Sequence, residues 1–169
     1  MTKLDSSTGL YQLDVTKSRK GGKLTKDRVT LNFIVNASGS ECMIQMIGKS
    51  KKLRALKNIN TSSHFGIKYY NNSKSWMRTD IFQQVMNDFC RYTKYTLKRH
   101  HVVLLMDNFS GHKLPDYWKK VVFAGGLTGA KHKGHTVIFL PQNITSVIQL
   151  LDQGIIIAFK AQYRRQHIR

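Results

Sequence analysis

"VVLLMDNFSGH", residues 102–112, sets an unbroken apolar run against a carboxylate. Val102 to Met106 are too few for a helix but enough for a strand, and a strand apolar on both sides is covered on both faces. Such a strand belongs in the middle of a sheet flanked by helices. Asp107 ends it, and ligands gather beyond the carboxyl ends of the strands in open α/β sheets. Asp107 is therefore either a functional carboxylate or a polar residue closing the strand in a turn.

Upstream, "GLYQLD" (9–14) and a basic, glycine-containing turn (17–27) lead into "RVTLNFIVNASG" (28–39). There Val29, Leu31, Phe33 and Val35 alternate with Thr30, Asn32, Ile34 and Asn36. This period of two predicts a strand ending in a turn at 36–39, and "ECMIQMIG" (41–48) returns as the second arm of an antiparallel hairpin. Residues 49–75 mix Lys, Asn, Ser and aromatics without a sustained period and are expected as a basic surface segment. In 76–100, Ile81, Val85, Met86, Phe89 and Tyr92 follow helical spacing, with Thr79 as N-cap and cations at the C-terminal end. This predicts a helix of about twenty residues.

Downstream, Pro115 is placed to open a helix over 115–123, and 125–134 is expected as a flexible basic loop. "HTVIFL" (135–140) predicts a second buried strand, ended by Pro141. Residues 152–166 predict a helix with Asp152 at its N-terminal end and Ile155, Ile156, Phe159 and Tyr163 on one side. A hairpin followed by strand and helix alternation gives an α/β fold, a mixed sheet flanked by helices. At 169 residues the chain fits one domain, 1–169, with a real core.

Against 28 Lys and Arg stand nine acids, Glu41 being the single glutamate, for a net charge of +19. A surface so charged repels itself unless a polyanion covers it, and nucleic acid is the natural partner. Lys17, Arg19, Lys20, Lys23, Lys49, Lys51, Lys52, Arg54 and Lys57 form basic runs with few aromatics between them. They suit phosphate contact rather than base reading; a merely solvated charged face is the alternative. No apolar run reaches the roughly 18–20 residues of a membrane helix, and "MTKLDSSTGL" lacks the apolar core of a secretory signal, so an intracellular protein without membrane contact is expected. Cys42 and Cys90 lack CxxC or His-rich companions and are expected as reduced, partly buried thiols. His132 and His135 lack acidic or thiol companions, so zinc is not expected. Trp76 and Trp118 are expected in the core.

Five segments, in order, carry a family resemblance. "VNASG" (35–39), "IGKSKKLRALKNIN" (47–60), "SWM" (75–77), "LLMDNFSGH" (104–112) and "VIFLPQNITSVIQLLDQGIIIAFKAQYRR" (137–165) are together similar to the DDE-type catalytic domain of pogo/Tigger transposases. These belong to the wider mariner group, with centromere-protein-B-like and jerky-like relatives. The resemblance spans roughly residues 8–165. It implies an RNase H-like fold and Mg²⁺- or Mn²⁺-dependent cutting and joining of DNA, in which three acids hold two metals.

On the family pattern the second acid is Asp107, with Asn108 and His112 in orienting roles, and the third is Asp152 in "LLDQG". The first acid of the family's "ADETGL" aligns with Ser6 when Thr8, Gly9 and Leu10 are matched. Asp5 lies one residue earlier, and a one-residue slip on a strand turns a side chain to the other face unless a bulge restores it. On those terms Asp5 is the remaining candidate for the first catalytic acid. The resemblance further implies a first strand shortened at its start, a nuclear location and DNA as partner, and it leaves homo-oligomer formation open.

Three departures from the family follow. Leu150 replaces the family's Pro ahead of Asp152, the stretch between Asp107 and Asp152 is longer than usual with its excess in 113–134, and the upstream helix-turn-helix region is not expected in this chain. Two functional readings result. One is a nucleic-acid-binding DDE endonuclease-like domain impaired at its first acid; the other is a domesticated DNA-binding or protein-interaction module that keeps the fold without the chemistry.

Overall fold

A computed structural model describes residues 6–16, 26–51, 66–98, 101–141, 154 and 156–167, with backbone alone at 6–16, 26–28, 156 and 167. In chain order the described elements are β1 (Ser6–Thr16), β2 (Lys26–Asn36), β3 (Cys42–Gly48), β4 (Ile67–Asn71), α1 (Thr79–Tyr95), β5 (Val102–Met106), β6 (Lys119–Val122), β7 (Thr128–His132), β8 (His135–Phe139) and α2 (Ile156–His167). All eight strands join one mixed sheet in the order β4-β3-β2-β1-β5-β8-β7-β6.

The 28–48 stretch folds as the alternation predicts. β2 and β3 pair antiparallel, with Phe33 opposite Ile44 and Val35 opposite Cys42. Asn36 fixes the turn by accepting from the Glu41 amide at 3.1 Å and donating to the Ser40 hydroxyl at 2.9 Å, while Gly39 supplies the positive φ of +72°. β1 adds antiparallel to β2 along its whole length.

β5 lies mid-sheet, parallel to β1 on one side and to β8 on the other. Val102, Leu104 and Met106 are buried beneath α1, while Val103 and Leu105, on the opposite face, are half-buried. Ile81, Phe82, Val85, Met86 and Phe89 of α1 meet them together with Ile34, Ile47 and Val137. The other face carries Leu31, Phe33 and Val35, and Phe159 of α2 sets its ring edge-on to Phe33 at 5.6 Å. Three antiparallel strands followed by parallel β5 and β8, with helices on both faces, make an RNase H-like α/β fold. The expected shortening of the first strand rests on residues before Ser6, which lie outside the described residues.

Several local expectations are corrected. Thr79 is the first residue of α1 and does not cap it; Arg78, in extended conformation, holds that position without a side-chain bond. Residues 115–123 do not form a helix. Pro115 opens a turn closed by the Trp118 amide, and the chain then enters β6, because 128–132 offers a strand partner that satisfies its backbone. The expected loop 125–134 is mostly β7 and a tight turn at Lys133 and Gly134, both at positive φ, as two-residue hairpins require. Within 49–75, β4 emerges parallel to β3. Trp118 is buried as expected, but Trp76 is 48% exposed. Cys90 is half-buried and its thiol pKa is pushed up to about 11 by burial, whereas Cys42 is exposed. Among the described residues, no helix is long and apolar enough to cross a membrane.

Candidate functional site

Strand direction collects the chemistry at one edge of the sheet. β3, β4, β5, β6 and β8 all run the same way as β1; β5, β6 and β8 end level with one another, while β1, β3 and β4 run on past them. Asp107 leaves β5 there. Lys49 and Lys51 follow β3 and are exposed, and exposed Trp76 lies in the segment that follows β4. β8 ends level with β5, Phe139 pairing with Met106, and the Leu140 amide donates to the Met106 carbonyl at 2.7 Å. β8 thus ends one strand away from the end of β5, about 4.8 Å in a sheet.

Asp107 is held from below. The chain turns back through Phe109 to Gly111, where an added Cβ would press on the Phe109 ring at 2.7 Å and on the Met77 carbonyl at 3.1 Å. The His112 amide donates to the Phe109 carbonyl at 2.8 Å. This returns the His112 ring beneath the strand end, stacked on Phe82 at 4.6 Å and edge-on to Phe109 at 5.3 Å. Its Nδ1 donates to the Asp107 carbonyl at 3.3 Å and lies 2.8 Å from Asp107 Oδ1. Oδ1 is buried against this ring, and His112 Nε2 has no hydrogen-bond partner.

Oδ1 is turned inward onto the His112 ring, while the Asp107 side chain as a whole is one quarter exposed, which leaves its other oxygen to serve as a hard donor to Mg²⁺ or Mn²⁺. Among the described residues, no three His, Cys, Asp or Glu side chains group closely enough to hold a metal by themselves. Asp152 and Asp5 lie outside the described residues, as do Lys17, Arg19, Lys20, Lys23, Lys52, Arg54 and Lys57. Ser6 stands opposite Leu104 and Ser7 opposite Leu105, so Ser6 is three residues short of Asp107, roughly 10 Å along a strand.

Asn108 is exposed and opens a cleft of about 700 Å³ beside Asp107. Its walls include Phe109, His112, Lys113, Trp118, Lys120 and Val122. Sequence reading missed this feature, because half of it is built from the stretch taken for a helix and a loop. The one signal available was the extra length at 113–134.

With this geometry in place, comparison with known proteins adds the following. Residues 26–169 match the DDE superfamily endonuclease family. The chain is 31% identical over 152 residues to CENP-B homolog protein 2 of Schizosaccharomyces pombe, covering 86% of this chain and 27% of that protein. It is 30% identical over 151 residues to ARS-binding protein 1 of the same yeast, covering 88% and 27%, and 29% identical over 144 residues to Tigger transposable element-derived protein 4 of Mus musculus, covering 85% and 24%. It therefore spans about a quarter of the length of these relatives. No solved structure matches the chain at a significant level. A central strand ending in Asp107, an RNase H-like sheet and a match over most of its length show that the chain belongs to the DDE superfamily endonucleases, of the pogo/Tigger type.

Proposed function

We propose that the chain, as a single domain over 1–169, is a transposase-derived DNA-binding unit in which Asp107 and Asp152 are carboxylates of a divalent-metal centre for DNA strand cleavage and joining. The observation that carries this reading is Asp107 itself. It sits at the carboxyl end of the central strand, fixed through Oδ1 against His112 and still partly exposed, at the edge where the chain after β8 also departs. Mg²⁺ or Mn²⁺, when bound, supplies Lewis acidity toward the scissile phosphate. The protein's own part is to fix the carboxylate, which His112 does by bonding to the Asp107 carbonyl and placing its ring against Phe82.

DNA contact is mainly to phosphates. Lys49 and Lys51 lie exposed past the carboxyl end of β3, which runs beyond the level of Asp107. A chain of charge +19 suits a polyanionic partner such as DNA. A location in the nucleus goes with this reading.

One observation favours a second reading, a domain that binds DNA or a protein without cutting. On the family resemblance Ser6 stands where the first acid belongs, and its register opposite Leu104 leaves it three residues short of Asp107. Catalysis is accordingly impaired unless Asp5 substitutes. Nicking of supercoiled plasmid in Mg²⁺ or Mn²⁺ separates the two. Slow nicking that disappears in Asp107→Ala and in Asp152→Ala establishes the enzyme. Absence of nicking in the unmodified chain, with DNA binding intact, leaves the module.

A further inference from the structure

The cleft beside Asp107 is not used by the metal chemistry. It lies between the 108–118 segment and the β6–β7 hairpin, and its volume of about 700 Å³ falls within the range of small-molecule sites. Its floor is apolar, with buried Trp118 and Ala130 and half-buried Phe139. Phe109 and Val122 are 40% and 73% exposed and line the same cleft. Lys113 and Lys120, both exposed, add positive charge to its walls, and Asp116 contributes a single carboxylate. Flat apolar walls with an aromatic ring, bordered by cations, match a nucleobase carried on a phosphate backbone. A duplex presents no free base face. An unpaired or extruded base does.

We propose that this cleft takes up one unpaired base of the DNA strand held at Asp107, stacking it on Phe109 while Lys113 and Lys120 meet the flanking phosphates. The proposal rests on the DNA-binding reading above and adds to it the form of DNA preferred. The β6–β7 hairpin is what creates the site, since Val121, Val122, Thr128 and Gly129 form one wall. The basic runs bind any phosphate backbone, whereas the cleft discriminates by base pairing.

Two duplexes of equal length, one fully paired and one carrying a single unpaired 2-aminopurine, are titrated with the protein at fixed salt. The expected result is about tenfold tighter binding of the unpaired-base duplex, as one stacked base supplies, with a change in 2-aminopurine emission on binding. Val122→Trp, which fills the cleft from an exposed position, and Phe109→Ala each abolish that preference and leave affinity for the paired duplex within about twofold. Equal affinity for both duplexes, with DNA binding intact, overturns the proposal and leaves the cleft to another occupant such as an apolar protein side chain. Loss of binding to both duplexes overturns the DNA-binding reading itself.

Discussion

His112 Nδ1 lies 2.8 Å from Asp107 Oδ1 while donating to the carbonyl oxygen of the same residue at 3.3 Å. One buried ring thereby fixes both the backbone and the charge at the end of the central strand. Its stacking on Phe82 ties that geometry to the core beneath α1.

Replacing His112 with Ala removes a buried ring and the partner of Asp107. Unfolding free energy is expected to fall by about 2–4 kcal/mol, read by chemical denaturation. Mn²⁺ affinity is expected to fall by roughly tenfold or more, as loss of a partner that orients a ligand commonly does. An unchanged Mn²⁺ isotherm in a folded His112→Ala protein removes the orienting role.

Asn32 and Gln45 face each other across β2 and β3, both almost fully buried, with Asn32 Nδ2 donating to Gln45 Oε1 at 2.6 Å. Asn32→Leu strands the glutamine oxygen and is expected to cost about 1–3 kcal/mol. The double change Asn32→Leu with Gln45→Leu recovers most of that loss, because no buried polar group remains unpaired. A double mutant no more stable than Asn32→Leu contradicts this.

His135 is buried against α1, its Nε2 within 2.7 Å of the Thr93 hydroxyl. Burial lowers its pKa from the ordinary 6.5. The folded state therefore binds this proton less tightly than the unfolded state. Its contribution is complete above about pH 6.5 and is lost as pH falls below that value. Thermal denaturation between pH 7 and 5 should show a decline in Tm that is shallower in His135→Gln. Identical slopes in the two proteins exclude His135 as the source.

Gly129 has no room for a side chain, for a Cβ there would collide with the Val137 carbonyl and with the Phe123 ring. Gly129→Ala is expected to push β7 off β8 at a cost of about 2–4 kcal/mol. Amide exchange should rise over β6 and β7 while β2 and β5 stay protected. Protection of β6 and β7 that matches the unmodified protein would show that the hairpin gives way without cost.

The centre of the sheet was legible in the sequence, and its edges were not. Val102–Met106 and the alternation through 29–35 carry their own burial pattern, so β5 and the β2–β3 hairpin needed no tertiary information. β7 hides because Gly129 and Ala130 are buried for closeness to Val137 rather than for apolar bulk. β6 hides because its spacing after Pro115 also suits a helix, and only pairing with β7 decides between them. β4 buries Tyr70 alone among its five residues. For the site, Asp107 was visible as a carboxylate ending an apolar strand. The offset of Ser6 from Asp107 was not, since strand register is set by partners distant in sequence.

Paramagnetic broadening by Mn²⁺ tests whether Asp107 and Asp152 share one ion at one sheet edge. In amide spectra recorded at substoichiometric Mn²⁺, resonances of 106–108 and 151–153 should broaden first and together, those of Thr16 and Lys26, about 23 Å further along the sheet by strand register, should stay sharp, and Asp107→Ala should abolish the effect at both segments. Broadening at 106–108 without 151–153, or uniform broadening across the protein, would contradict it.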